Sequence, residues 1–140
     1  MMRAIVVGYD GSETAHAAVS EAASIARATG ADLHILTVVD GATVQPDDGG
    51  DDIEERLTRD AHVGLENLAH EPNTFAGVRA HVEVLPGPAA GRLIDRAEEL
   101  DADLIVVGNR RVQGLDRLLG SVSMSVVRHA PCSVYVAHTA

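Results

Sequence analysis

Apolar residues along this chain fall into two alternating patterns. Short, mostly apolar runs occupy 4–7, 33–39 and 104–107, and between them apolar residues recur every three or four positions. An unbroken run such as Ala4-Ile5-Val6-Val7 fits a strand buried on both faces. The spacing of Ala15, Ala18, Ala22 and Ala26 predicts a helix that runs to about Thr29 and stops at Gly30. Ser12 or Asp10 would cap its start. Leu33 to Val39 predicts a second buried strand, and the Gly- and Asp-rich segment 40–50, with Pro46, predicts a loop. Ile53, Leu57, Ala61, Leu65 and Leu68 then mark an amphipathic helix opened by Asp51 and Asp52.

Glu71-Pro72-Asn73 breaks that helix. Residues 78–85 alternate Val78, Ala80, Val82 and Val84 with Arg79, His81 and Glu83, which predicts a strand with one wetter face near a sheet edge. Leu93, Ile94, Ala97 and Leu100 form the stripe of a third helix, and 104–107 a fourth strand closed by Gly108. A loop over 109–120 follows. Ser121 then takes the capping position of a helix with Val122, Val126, Val127 and Ala130 on one face, ended by Pro131. The run from Ser133 to Ala137 is the fifth strand. Strands alternating with helices imply an α/β, doubly wound parallel sheet with helices on both faces. In such sheets ligands bind beyond the carboxyl ends of the strands, where the strand order reverses. The strands ending at Gly8 and Gly108 are the expected flanks of that crevice.

Composition narrows the picture. A length of 140 residues fits one domain covering the chain. With 46% apolar but only 2% aromatic residues, the core must be aliphatic. The net charge of −10 argues against nucleic-acid and membrane-surface partners. Cys132 is the single cysteine, so no intrachain disulfide can form, which agrees with a reducing, cytoplasmic setting. No apolar run reaches membrane-spanning length.

Two junctions carry candidate chemistry. The first is Gly8-Tyr9-Asp10-Gly11-Ser12; the second runs from Gly108 through Asn109, Arg110, Arg111 and Gly114 to Gly120 and Ser121. Glycine lets backbone approach a phosphate, and a helix start offers N–H donors to it. Arg110, Arg111 and Arg117 are cations in an otherwise acidic chain, and Asp10 can accept from ribose hydroxyls. The plainer readings are turns at Gly8 and Gly108, caps at Asp10 and Ser12, and solvated arginines. Neither Gly-x4-Gly-Lys-Ser/Thr nor Gly-x-Gly-x-x-Gly occurs in these junctions. The seven histidines show no HExxH and no cluster with cysteine at metal-ligand spacing, so no metal ligands are expected. His62 and His70 read as a solvated face, Cys132 as a small packed apolar group, and the acidic pairs near 47–55 as a solvated helix start.

The segments Ile5-Val6-Val7-Gly8-Tyr9-Asp10-Gly11-Ser12, Ala102-Asp103-Leu104-Ile105-Val106-Val107-Gly108, Leu118-Leu119-Gly120-Ser121-Val122-Ser123 and His129-Ala130-Pro131-Cys132-Ser133-Val134 together resemble the universal stress protein family over nearly the whole chain. The resemblance implies a flavodoxin-like five-stranded sheet in order 3-2-1-4-5 and a homodimer that pairs the last strands, here Ser133 to Ala137. Many members bind ATP through a loop of the form Gly-x2-Gly-x9-Gly-Ser/Thr. Carried over, Asp10 contacts the ribose or adenine end, with Tyr9, Gly11 and Ser12 beside it, and Val38 and Val39 border the adenine. Gly108 lies near the ribose and α-phosphate, and Val107, Asn109, Arg110, Arg111 and Gly114 are the further nucleotide-binding candidates of this loop. Gly120, Ser121 and Val122 hold the β- and γ-phosphates by backbone N–H groups and the Ser121 hydroxyl, with Ser123 a further nucleotide-binding candidate beside them.

The chain departs from that loop twice. Arg111 stands where the second glycine is expected, and the stretch from Gly108 to Gly120 is one residue shorter than the motif. The expected function is an ATP-binding regulatory module of the stress response, with magnesium accompanying the nucleotide, read by an unidentified protein partner, and not an enzyme beyond slow hydrolysis. The alternatives are a cyclic-AMP-binding protein and a nucleotide-free dimeric interaction module. An adenylating enzyme fits less well, because the Ser-Gly-Gly type loop of such relatives does not follow the first strand.

Overall fold

In the computed structural model, which describes residues 2–39, 51–71, 73–110 and 120–139, strands and helices alternate from end to end. The elements are β1 (Ala4–Gly8), α1 (Glu13–Thr29), β2 (Asp32–Val39), α2 (Asp51–Ala69), β3 (Ala80–Pro86), α3 (Ala89–Glu99), β4 (Leu104–Arg110), α4 (Ser121–His129) and β5 (Ser133–Thr139). The strands form one five-stranded sheet in the order β3-β2-β1-β4-β5, and every pairing is parallel. This is the expected flavodoxin-like α/β arrangement, with β3 and β5 at the edges. Among the described residues no helix is long and apolar enough to cross a membrane.

The sheet carries a core on each face. On one face α1 and α2 bury Ile5, Val7, Leu33, Ile35, Leu104 and Val106 against Ala18, Val19, Ala22, Ala26, Leu65 and Leu68. On the other, Ala4, Val6, Leu36, Ile105 and Val107 meet Leu93 and Ala97 of α3 and Val126 of α4. Alternate residues of each central strand thus serve opposite faces, which is why these strands read as continuous apolar runs. The buried row of α1 is mostly alanine, so its axis can lie close to the sheet. Ser12 caps this helix, its hydroxyl accepting the Ala15 N–H at 3.1 Å. Gly30 ends it in the left-handed region, with φ 78° and its N–H on the Ala26 carbonyl at 2.8 Å.

Three expectations are corrected. Gly108 does not end β4: the ladder continues through Asn109↔His138 and Arg110↔Thr139, because β5 is also longer than its apolar run. β3 begins at Ala80 rather than Val78, whose N–H turns back to the Phe75 carbonyl at 3.0 Å. The third concerns α4, which buries Val126 and Ser123 but leaves Val122 39% and Val127 46% exposed. This short helix sits over β4 and β5 at the sheet edge, and one narrow row of side chains meets the sheet.

At the amino ends of β1 and β4, Asp103 Oδ2 accepts the Arg3 N–H at 2.6 Å and the Ala4 N–H at 3.3 Å. These two backbone donors hold its carboxyl below the usual range.

Candidate functional site

The strand order reverses between β1 and β4. The α1 connection leaves β1 toward β2 on one face, and α3 returns from β3 to β4 on the other. The carboxyl ends of β1 and β4 therefore open a crevice between diverging chains.

The β1 side is built by short-range hydrogen bonds. The Tyr9 N–H donates to the Leu36 carbonyl at 2.8 Å, and its own carbonyl accepts the Thr37 hydroxyl at 2.7 Å. Both bonds stitch the junction to β2. Asp10 is exposed, and its Oδ1 accepts the Ser12 N–H at 2.9 Å. A carboxylate retains further acceptor capacity after one such bond. Gly11 has φ +86°, a conformation that favours glycine and lets the chain turn sharply into α1. The Tyr9 ring packs against the α1/α2 core rather than across the crevice. Its hydroxyl lies 3.2 Å from His16 Nδ1, His16 Nε2 lies 3.2 Å from Glu71 Oε1, and the Thr74 hydroxyl donates to Glu71 Oε2 at 3.1 Å. Burial, more than the nearby Glu71 and Asp10 charges, pushes the Tyr9 pKa up.

On the β4 side, strand and helix are hooked together. Asn109 is 4% exposed, and its Oδ1 accepts the Gly120 N–H at 2.8 Å. Ser123, equally buried, donates its hydroxyl to the Gly108 carbonyl at 3.1 Å. The N-cap of α4 is Gly120, and Ser121 is the first helical residue instead of the cap. No side chain caps this end among the described residues. The helical ladder starts with the Met124 N–H on the Gly120 carbonyl at 2.9 Å, so the N–H groups of 121–123 precede it.

The glycines here have different causes. A Cβ on Gly108 would stand 2.7 Å from both the Thr14 carbonyl oxygen and its Cγ2. Glycine at 108 is thus required by the close pass of β4 under the first turn of α1, and its cleared side faces α1. A Cβ on Gly8 would press on Leu93 Cδ1 at 3.2 Å. Gly120 is unlike both: its φ is −64°, and the nearest described atom to an added Cβ is Asn109 Oδ1 at 3.8 Å.

Tyr9 to Ser12, Val38 and Val39, Gly108 to Arg110, and Gly120 to Ser123 all come to the carboxyl edge of the sheet or the turns that follow it. Val39 is nearly buried, with its carbonyl taking the Gly87 N–H at 3.2 Å. Val107 points into the α3/α4 core. Arg111, Gly114 and Arg117 lie outside the described residues.

Sequence spacing missed one cluster. Asp32, His34 and His81 bring one ligand atom each to within 4.8 Å of one another, a grouping that the search for HExxH and Cys/His spacing does not reach. Residues 34 and 81 are 47 positions apart and meet only through the β2–β3 register, which pairs them directly. The one signal available was a histidine in each of two predicted strands.

Comparison with known proteins places the chain. The family model described as the universal stress protein family matches residues 1–138. A universal stress protein of Methanocaldococcus jannaschii is 34% identical over 140 residues, covering 97% of this chain and 82% of that protein. The solved structure of the universal stress protein UspA from Lactobacillus plantarum superposes with TM-score 0.78 at 28% identity, covering 97% of each chain. A universal stress protein solved in complex with cyclic AMP superposes with TM-score 0.66 at 29% identity, covering 99% of this chain and 98% of that one. The chain belongs to the universal stress protein family.

Proposed function

We propose that the β1/β4 crevice takes an adenine nucleotide, ATP in the first instance, and that the protein acts as a nucleotide-responsive regulatory module rather than an enzyme. The observation that carries this reading is the start of α4. Its cap is a glycine that the described fold does not demand, and three backbone N–H groups precede the ladder there. Such an end favours anions through both its donors and the helix dipole. Gly120, Ser121 and Val122 would hold the β- and γ-phosphates by backbone N–H groups, helped by the Ser121 hydroxyl. Asp10 would accept from the ribose across the crevice, with Val38 and Val39 beside the adenine. Magnesium, where present, would arrive on the triphosphate oxygens. Arg110, Arg111 and Gly114 would border the phosphate path. Ser123 and Asn109 would act indirectly, by holding the helix start against β4.

A relative solved with cyclic AMP supports adenine as the base and makes cyclic AMP the main rival ligand. The nucleotide-free reading draws on Arg111 and on the shortened 108–120 stretch. The assembly we propose is a homodimer through β5, with a protein partner reading the nucleotide state. Its support is that β5 is a sheet edge, with Tyr135 41% exposed on it and Val127 exposed on the adjoining helix.

Isothermal titration with ATP, ADP, AMP and cyclic AMP, with and without magnesium, tests the reading. Saturable ATP binding that Gly120→Val removes is the expected result. Preference for cyclic AMP would keep the site and change its signal. Absence of binding to all four at millimolar concentration would overturn the reading in favour of the interaction module.

A further inference from the structure

The outer edge of the sheet holds a polar group that the crevice does not use. Asp32 and His34 on β2, with Arg79, His81 and Glu83 along the β3 segment, share the sheet face on which α3 and α4 pack, but they lie at its open margin. α3 packs mainly over β1 and β2, and α2 covers β3 from the opposite side. The His34 and His81 rings stack with centroids 4.7 Å apart and planes at 15°. Asp32 Oδ2 lies 3.3 Å from His81 Nε2, and Asp32 Oδ1 accepts Arg79 Nε at 2.6 Å.

We propose that Asp32, His34 and His81 form a binding site for one divalent transition ion of the zinc class. Two imidazoles and a carboxylate are the donor set that such ions take, whereas magnesium and calcium call for all-oxygen shells. Ligands about 2.0–2.1 Å from zinc in a tetrahedron stand about 3.4 Å apart. The Asp32–His81 pair is already at that spacing, at 3.3 Å. His34 must close from within 4.8 Å, and its ring must turn out of the stack with His81 to aim at the same ion. The cross-strand register fixes the two imidazoles on adjacent backbones, so the site is held by the sheet rather than by a loop.

The surroundings fit this use. Arg79 holds the second Asp32 oxygen and orients the first, as outer-shell partners of ligating carboxylates do. The other nearby cation, Arg96, is paired with Glu83 at 2.8 Å. His81 is more than half exposed, which gives the ion entry and leaves its fourth position to water. A chain of net charge −10 draws cations toward it. The bound ion would clamp edge strand β3 to β2.

Zinc and cobalt titrations of the full chain test the proposal, read by calorimetry, by cobalt visible absorption and by the melting temperature. One ion per chain, tetrahedral-type cobalt bands and a rise in melting temperature are expected. The His34→Gln/His81→Gln double variant should weaken zinc binding at least tenfold, and Asp32→Asn should do so with both imidazoles intact. Imidazole proton resonances of the unmutated protein give a readout that does not depend on variants folding. Zinc should move those of His34 and His81 and leave those of His62, His70 and His129 in place. Unchanged affinity in a folded double variant, or zinc shifts confined to other histidines, would overturn the site.

Discussion

Gly108 within β4 and Gly120 at the start of α4 look alike in the chain and stand in different surroundings. At Gly108 the strand passes so close beneath α1 that any side chain meets backbone, with the Thr14 carbonyl 2.7 Å from an added Cβ. At Gly120 the backbone is in an ordinary conformation, and a Cβ finds its nearest described neighbour at 3.8 Å. One glycine is demanded by packing. The other meets no close contact among the described residues and sits at an N-cap, a position glycine commonly takes. On the function proposed above, the open glycine at the helix start is the informative one for binding, and the one wedged between two elements is informative for packing.

The sharpest way to break this contrast is Gly108→Ala. Backbone atoms of α1 must move, so the loss of stability should reach about 3 kcal/mol, the upper part of the range for overpacking. Urea unfolding measures it, and a cost below about 1 kcal/mol would mean that β4 and α1 separate freely. Asn109→Ala comes next. It removes the buried acceptor of the Gly120 N–H and should cost about 1–3 kcal/mol by the same assay. Gly120→Val should cost only about 1 kcal/mol, the difference between glycine and a poor capping residue. Its main effect, on our reading of the crevice, is loss of ATP binding by calorimetry. If it costs as much stability as Gly108→Ala, the two glycines are alike after all.

The smallest effect is electrostatic and lies at the opposite end of the sheet. Asp103 has its pKa lowered in the folded state by the Arg3 and Ala4 N–H groups. Its contribution is therefore full above the unfolded carboxylate value of about 3.9 and is lost as pH falls through the lower folded value. Asp103→Asn should be less stable than the parent at neutral pH, and the gap should close below about pH 4. A gap independent of pH would mean that the charge of Asp103 has no part in it.

Much of the architecture was legible along the chain, because period-two and period-3.6 patterns report directly on burial. The continuous run 4–7 belongs to a strand buried on both sides, and the alternation at 78–85 to an edge strand. The features that escaped depend on distance in space. No pattern around Gly108 reveals that Thr14 lies against it. The pairing of His34 with His81 follows from register between two strands separated by a helix. The face of α4 was misjudged for a related reason: four apolar positions at helical spacing suggest a broad buried stripe, but a helix at the margin of a sheet meets only one row of partners. Of the candidate site, the two junctions could be named from glycine, aspartate and serine at strand ends. That Asn109 and Ser123 point inward as ties could not, since each is a polar residue whose partner lies across the connection.

Those two ties have a consequence for how the chain can change. Asn109 to Gly120 and Ser123 to the Gly108 carbonyl form a pair of rivets on either side of the connecting segment. Both ties join described residues directly, so each anchors the helix start to the strand. Adding or removing one residue from a connection of about ten alters the entropy of closing it by only about 0.1 kcal/mol. The closure term therefore sets little penalty on a one-residue change of length, and the two ties are the described contacts that would have to hold the donors at the helix start in place.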